Sequence, residues 1–143
     1  MSISSVWTDR EREVLGAVAD LLIPASGEMP SATAVGVVSE GIDEIAAIRP
    51  DLLDAGRQAV ELIGADRPDS VPAVQAVLSG LFGPVSELLA SAYFLRPEVA
   101  RLIGYRSRRA IPLDDESSRR DQLEQLVEPV RVRGNVWRRT EGP

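Results

Sequence analysis

The chain has 143 residues, enough for one compact domain, with 44% apolar and only 4% aromatic residues and a formal net charge of −6. It contains no histidine, cysteine or lysine, which excludes histidine proton transfer, thiol nucleophiles, disulfides, cysteine-held zinc or iron–sulfur sites and lysine Schiff-base chemistry. We therefore expect no catalytic residues, no cofactor-binding residues and no metal ligands in this chain.

The N-terminal residues 1–10 lack a basic start followed by an apolar stretch, so they predict neither a secretory nor a twin-arginine signal. No later stretch approaches the roughly 18 uninterrupted apolar residues of a membrane span. We expect a cytoplasmic protein without a direct membrane span, exported only if a partner carries it.

A first helix is predicted to begin at Thr8, because Thr8 and Glu11 have the spacing of a capping box. Apolar residues then follow at helical spacing: Val14, Ala17, Val18, Leu21 and Leu22. Pro24 is expected to end this helix, and residues 24–31 have the composition of a loop.

Five further helices are predicted before residue 105, most of them marked by proline or glycine at an end. They run from about Ala32 to Ala47, from Pro50 to Gly64, from Pro72 to Leu78, from Pro84 to Phe94 and from Pro97 to Gly104. Their apolar stripes predict these buried residues: Val35, Val38, Ile42, Ile45, Leu52, Leu53, Ala59, Val60, Ile63, Val85, Leu88, Leu89, Ala92, Val99, Leu102 and Ile103. Gly104 is the expected left-handed cap of the last of them.

The C-terminal part has a different composition. Residues 106–112 are basic and irregular, and a last helix is predicted from about Asp115 to Glu128 with a thin stripe of Leu123, Leu126 and Val127. Pro129 should end that helix, after which Val130 and Val132 could pair as a short strand. We predict an all-α fold: a compact bundle of about six helices over residues 1–112, then a C-terminal helix with an irregular, arginine-rich tail over residues 113–143.

Two groups of carboxylates come nearest to a catalytic pair, Asp43 with Glu44 and the run 114–116. Adjacent side chains on a helix diverge by about 100°, so Asp43 and Glu44 cannot face one another across a cleft. The run 114–116 has the pattern of a helix N-terminal cap. We interpret both groups as solvated or capping, which makes a hydrolase that works through carboxylates alone the least favoured function.

The arginines are concentrated toward the C-terminus: residues 1–90 hold 14 acidic residues and five arginines, whereas residues 91–143 hold eight and eleven. General nucleic-acid binding needs a concentrated basic face, so this distribution favours a protein partner. Arg106, Arg108 and Arg109 are either solvated surface or contacts to carboxylates of a partner. Trp137, in a tail too short to fold by itself, either packs back on the domain or anchors a partner.

Two segments resemble motifs of a known family. The segment Leu15–Asp43, which contains Ala-Asp-Leu-Leu-Ile-Pro, is similar to a helix ending in ALADxxIP followed by a loop with proline and glycine and a helix with Ile-Asp. The segment Ala92–Tyr105, with Pro112 beyond it, resembles AYFxxPxVxxxxGYxG followed by proline. Both motifs, in this order, are those of the gluconate 2-dehydrogenase subunit 3 family, the small or gamma subunits of flavin-dependent sugar and alcohol dehydrogenases.

Such subunits hold no cofactor and accompany a large FAD-containing flavoprotein of the glucose-methanol-choline type, which oxidises a sugar or other alcohol. The resemblance implies a partner interface at the matching positions, which are Ile23, Pro24, Met29, Tyr93, Phe94, Pro97 and Tyr105. The plainer interpretation of Tyr93, Phe94 and Tyr105 is core packing, and that of Pro24 and Gly104 is helix termination. Many family members begin with a twin-arginine signal, and its lack here favours a cytoplasmic complex.

The sequence therefore predicts a small subunit, non-catalytic by itself, that stabilises or matures a flavoprotein by burying part of its surface. The alternative is a free-standing helical regulator or adaptor that binds nucleic acid or a protein through its arginine-rich C-terminal segment. Salt-sensitive nucleic-acid binding would distinguish that alternative.

Overall fold

Two units make up the chain, residues 1–106 and residues 107–143. The computed structural model describes residues 6–105 of the first unit and residues 116–134 of the second. Its α-helices are α1 (Asp9–Leu22), α2 (Ile42–Ile48), α3 (Pro50–Ile63), α4 (Val71–Leu78), α5 (Phe82–Phe94), α6 (Pro97–Leu102) and α7 (Glu116–Arg133). The predicted all-α class is confirmed, with six of these helices in the first unit.

The ends of the helices follow from local chemistry. Thr8 Oγ1 accepts a hydrogen bond from the amide of Glu11 at 3.2 Å, and the Glu11 carboxylate accepts one from the amide of Thr8 at 2.7 Å, so the predicted capping box is confirmed. Prolines stand in the first turns of α3, α4 and α6, where a missing amide hydrogen costs little. Gly104 is left-handed with φ +73°, as a C-terminal cap requires.

The predicted continuous helix over residues 32–47 is wrong. Gly36 adopts φ +79° and divides the segment into a 3₁₀ turn at Thr33–Val35 and a π turn at Val37–Gly41, which leads into α2. Glycine enters the left-handed region without the steric cost that other residues have. An isolated glycine is also tolerated inside a helix, so Gly36 did not by itself predict a break. The apolar spacing therefore looked continuous although the backbone is not.

The core of the first unit lies around α3 and α5, with α1 and α2 packed on them. Trp7, only 2% exposed, packs on the backbone of Gly56 in α3, and its indole N–H donates to the carbonyl of Ile42 at 3.3 Å. Most residues of the predicted apolar stripes are buried there: Val14, Val18, Ile42, Ile45, Leu52, Ala59, Val60, Ile63, Val85, Leu88, Leu89, Ala92 and Val99.

Two predictions near the C-terminus are wrong. Leu102 and Ile103 are exposed at the end of α6, because this helix has only six residues and Val99 is the one that is buried in the core. In the second unit α7 continues through Pro129 to Arg133, so Val130 and Val132 are helical and do not form a strand. A proline removes one helical hydrogen bond and bends the axis, but the residues after it can remain helical.

Within the described residues, one helical run, Val71–Phe94, is long and apolar enough by length and composition to cross a membrane. The core helix of a soluble protein meets the same criterion. In the structure this run is α4, a 3₁₀ turn at Ser79–Leu81 and α5, and Ser79 has φ +46°. Its buried side chains belong to the core of the first unit.

Candidate functional site

The two segments that carry the family resemblance pack against each other. The hydroxyl of Tyr93 donates a hydrogen bond of 2.7 Å to the carbonyl of Pro30, and a Cβ on Gly41 would stand 3.0 Å from the Cβ of Ala92. Tyr93 is buried, in agreement with its interpretation as a core residue. Its burial, together with the negative charge of Glu98, raises the pKa of its hydroxyl. These positions therefore belong to the packing of the first unit.

A buried arginine, Arg96, strengthens the same contact. Only 6% of Arg96 is exposed; its Nη2 donates to the carboxylate of Glu44, its Nη1 lies 3.6 Å from Glu40, and its Nε donates to the carbonyl of Ala92 at 3.3 Å. Sequence reasoning missed this residue. Its signals are an arginine within an apolar stretch and two glutamates, 40 and 44, spaced to share one helical face.

The carboxylates of Asp43 and Glu44 diverge as predicted, and each makes an ion pair; Glu44 is also exposed, as a solvated group should be, whereas Asp43 is half-buried. Asp43 accepts a hydrogen bond from Arg12 at 2.7 Å, and Arg12 also donates to the carbonyl of Ser39 at 2.9 Å, whereas Glu44 faces Arg96. The π turn before α2 is thus held by arginines on both sides. Asp114 and Asp115 lie outside the described residues.

Hydrogen bonds hold both ends of the loop that follows α1. Asp20 accepts hydrogen bonds from the amide of Thr33 at 2.9 Å and from its hydroxyl at 2.6 Å, and the amide of Ala32 donates to the carbonyl of Ile23 at 3.1 Å. Two of the predicted interface residues, Ile23 and Met29, are half-buried against the core, and Pro24 is exposed just beyond the end of α1.

An apolar groove lies between α2, the start of α3, α5 and the residues that follow α6. Its volume is about 740 Å³. It is lined by Ile45, Ile48, Arg49, Leu52, Glu87, Ala90, Ser91, Phe94, Leu95, Ile103 and Tyr105. Five large side chains around it are 50% to 69% exposed: Ile48, Phe94, Leu95, Ile103 and Tyr105. Concentrations of exposed apolar surface are a feature that interaction sites have in common.

One ion-pair network stands in the groove wall. Arg49 lies between α2 and α3 and donates to both carboxylate oxygens of Asp51, at 2.9 and 2.7 Å, and to Glu87 of α5 at 2.9 Å. The hydrogen bonds from Arg49 lower the pKa of Asp51, and the hydrogen bonds to the two carboxylates raise the pKa of Arg49. Arg49 therefore joins the start of α3 to α5 through ion pairs on the surface.

The groove contains two predicted interface residues, Phe94 and Tyr105; core packing was the wrong interpretation for both. Pro97 is exposed at the start of α6 but does not line the groove. The remaining candidates, Arg106, Arg108, Arg109 and Trp137, lie outside the described residues. Sequence reasoning missed the other lining residues.

A signal for the groove was present in the order of apolar residues. Tyr93, Phe94 and Leu95 are consecutive, and successive side chains near a helix end diverge by about 100°, so they cannot all reach one core. The pair Leu102 and Ile103 has the same property. When consecutive apolar residues are more numerous than one helical face can bury, the sequence predicts a second apolar face on the surface.

Among residues 6–105 and 116–134, no three carboxylates approach one another as a metal-binding group. Comparison of the chain with protein-family models, with curated proteins and with solved structures finds no match. The surface of the chain itself is therefore the basis for a functional proposal, and the apolar groove is its most apolar described cavity.

Proposed function

We propose that this chain is a cofactor-free small subunit that binds a large FAD-dependent dehydrogenase, which oxidises a sugar or other alcohol, through the apolar groove. The observation that carries the proposal is the set of five large apolar side chains exposed around that groove. Leaving them in water costs free energy that a partner surface recovers on binding. Permanent subunit interfaces are of this apolar kind.

The family resemblance supports the same surface. Phe94 and Tyr105, both positions of the second motif, line the groove, while Tyr93 beside them is used for the core. In this proposal Tyr93 packs in the core of the subunit, and the exposed rings of Phe94 and Tyr105 contact the partner. Aromatic side chains are enriched among the residues that dominate binding energy at interfaces.

The proposed action of the subunit is stabilisation by binding. A subunit that binds the folded flavoprotein and not its unfolded chain shifts the folding equilibrium by mass action. FAD and the oxidation chemistry belong to the partner in this proposal, and the small subunit contributes surface. The composition of the chain, without histidine, cysteine or lysine, suits a role that requires no chemistry of its own.

The test is to co-express the tagged full chain with the product of the neighbouring gene and to measure the mass and visible spectrum of what co-purifies. We expect a stoichiometric partner of flavoprotein size with flavin absorbance bands. A colourless chain that purifies alone would reject the subunit function.

Two matched variants locate the interface. Ile48→Glu puts a charge on the groove, whereas Leu62→Glu puts the same charge on another exposed apolar position, on α3 and outside the groove. We expect Ile48→Glu to weaken the complex by ~2 kcal/mol or more and Leu62→Glu to leave it unchanged. The reverse result would place the partner on another face while keeping the subunit function.

A further inference from the structure

Glu87 and Arg49 are the charged residues of the groove lining, and they are not equivalent toward an incoming partner. Arg49 donates to three carboxylate oxygens, two on Asp51 and one on Glu87. Glu87 is half-exposed and, among the described residues, accepts a hydrogen bond from Arg49 alone. The carboxylate of Glu87 therefore retains acceptor capacity that Arg49 does not fill.

The ion-pair network that includes Glu87 has the same sign as Glu87. Two carboxylates, Asp51 and Glu87, face the one guanidinium of Arg49, so the network carries a net charge of −1. A negative surface attracts a basic segment and repels an acidic one. The free charge offered at the groove is thus negative.

The shape of the groove favours a helical segment. Its walls are helices, and the described residues form no strand beyond a single bridge between Ser26 and Met29, so they offer no strand edge to which an extended peptide could add. An amphipathic helix placed in an apolar groove is a known binding mode that fits walls of this kind.

The spacing along α5 sets the pattern that such a helix has to match. Glu87, Ser91 and Phe94 are four and three residues apart, so they form one row on α5 that changes from charged to polar to aromatic. Seven residues of helix measure about 10 Å. The matching segment has a basic side chain and a large apolar side chain about two turns apart.

We infer that the groove accepts an amphipathic helix of the large subunit, with an arginine or lysine that pairs with Glu87 and an apolar side chain two turns away that packs on Phe94. The inference rests on the proposed function and adds to it a rule for the charge of the partner segment. Glu87 then selects the partner helix and its direction, since the reversed helix would place the apolar side chain against the carboxylate.

The experiment uses the full chain and two synthetic 18-residue helical peptides with the same leucine stripe. One peptide carries a lysine two turns from its terminal leucine, and the other carries a glutamate at the same position. The binding of each peptide to the chain is measured by fluorescence anisotropy. We expect the lysine peptide to bind about fivefold more tightly at low salt. Glu87→Gln should abolish this preference. Glu61→Gln, an equal change of charge on α3 and outside the groove, should keep it.

Each contrary result overturns the inference. Equal affinity for the two peptides, or equal loss in the two variants, would show that the charge effect is not local to Glu87. Binding that survives Ile48→Glu, or no binding of either peptide, would show that the groove does not take a helix. Flavoprotein co-purification separates the two proposals: if it persists, only the rule for the partner segment fails.

Discussion

At the residue scale, Arg96 makes the two glutamates beside it unequal. Glu44 is in direct hydrogen-bond contact with this buried guanidinium, whereas Glu40 is 79% exposed and 3.6 Å away. Removing Glu44 leaves a buried charge poorly paired, so we expect Glu44→Ala to lower the free energy of unfolding by ~2 kcal/mol. Glu40→Ala should cost less than ~0.5 kcal/mol. Urea unfolding followed by circular dichroism measures both, and equal losses would contradict the assignment of Glu44 as the main partner.

Gly56 is a second single residue on which the core depends. A Cβ added there would stand 2.6 Å from Cη2 of Trp7 and 3.1 Å from Leu88, so Gly56→Ala should destabilise the protein by ~1–3 kcal/mol. Gly80, in the 3₁₀ turn before α5, has no atom within 4 Å of an added Cβ and no positive φ, so Gly80→Ala should instead stabilise by roughly 0.4–1 kcal/mol. Thermal unfolding of both variants provides the check, and a stabilised Gly56→Ala protein would show that Trp7 packs elsewhere.

At the element scale, the start of α3 carries a pH-dependent contribution. Asp51 stands in the first turn of α3 and accepts two hydrogen bonds from Arg49, which lower its pKa from the ordinary value of 3.8. A carboxylate with a lowered pKa in the folded state contributes stability that is complete above its unfolded pKa and is lost as the pH falls through the folded one. Acidification from about pH 5 to about pH 2 should therefore remove this contribution.

Asp51→Asn tests that contribution directly. The variant should be less stable than the parent chain at neutral pH, and the difference should shrink on acidification, because the parent loses in acid what the variant lacks. Asp54→Asn, one turn further along α3 at an exposed position, is the matched control and should lose little at any pH. Urea midpoints at a series of pH values measure the trend, and a difference that grows toward acid would refute it.

Helix ends and helix interiors differ in how far sequence predicts them. The starts of α1, α3 and α6 depend on residues within one turn, Thr8, Pro50 and Pro97, so local chemistry is sufficient. The π turn at Val37–Gly41 depends on Arg12 and Arg96, which are distant in sequence. The spacing of apolar residues reports only the local helical period and contains no information about contacts with distant arginines. The break at Gly36 was therefore not predicted.

At the scale of the whole molecule, the exposed groove predicts how the isolated chain behaves. Without a partner, apolar surface of this extent should drive self-association at high concentration. We expect sedimentation velocity to show a concentration-dependent rise in mass for the full chain. Ile48→Glu should reduce that rise at unchanged thermal stability, whereas Leu62→Glu should not. Self-association that both variants leave intact would assign it to another surface.

The candidate site was predicted in part. Phe94 and Tyr105 were named from the motif, but Ile48, Leu95 and Ile103 were missed, because which of several adjacent apolar side chains faces outward depends on helix rotation. Rotation is set by packing, here by Tyr93 and Val99, which take the inward positions. The partner of Arg96 was missed for the same reason.

By itself, the sequence determined the all-α class, the starts of α1, α3 and α6 and the exclusion of histidine, cysteine and lysine chemistry, since each depends on composition or on residues one turn apart. Only the tertiary structure decided which apolar residues remain outside the core, that Arg96 is buried against Glu44, and that Glu87 stands in an apolar groove. Those properties arise from contacts between helices far apart in the chain, and no local pattern specifies them.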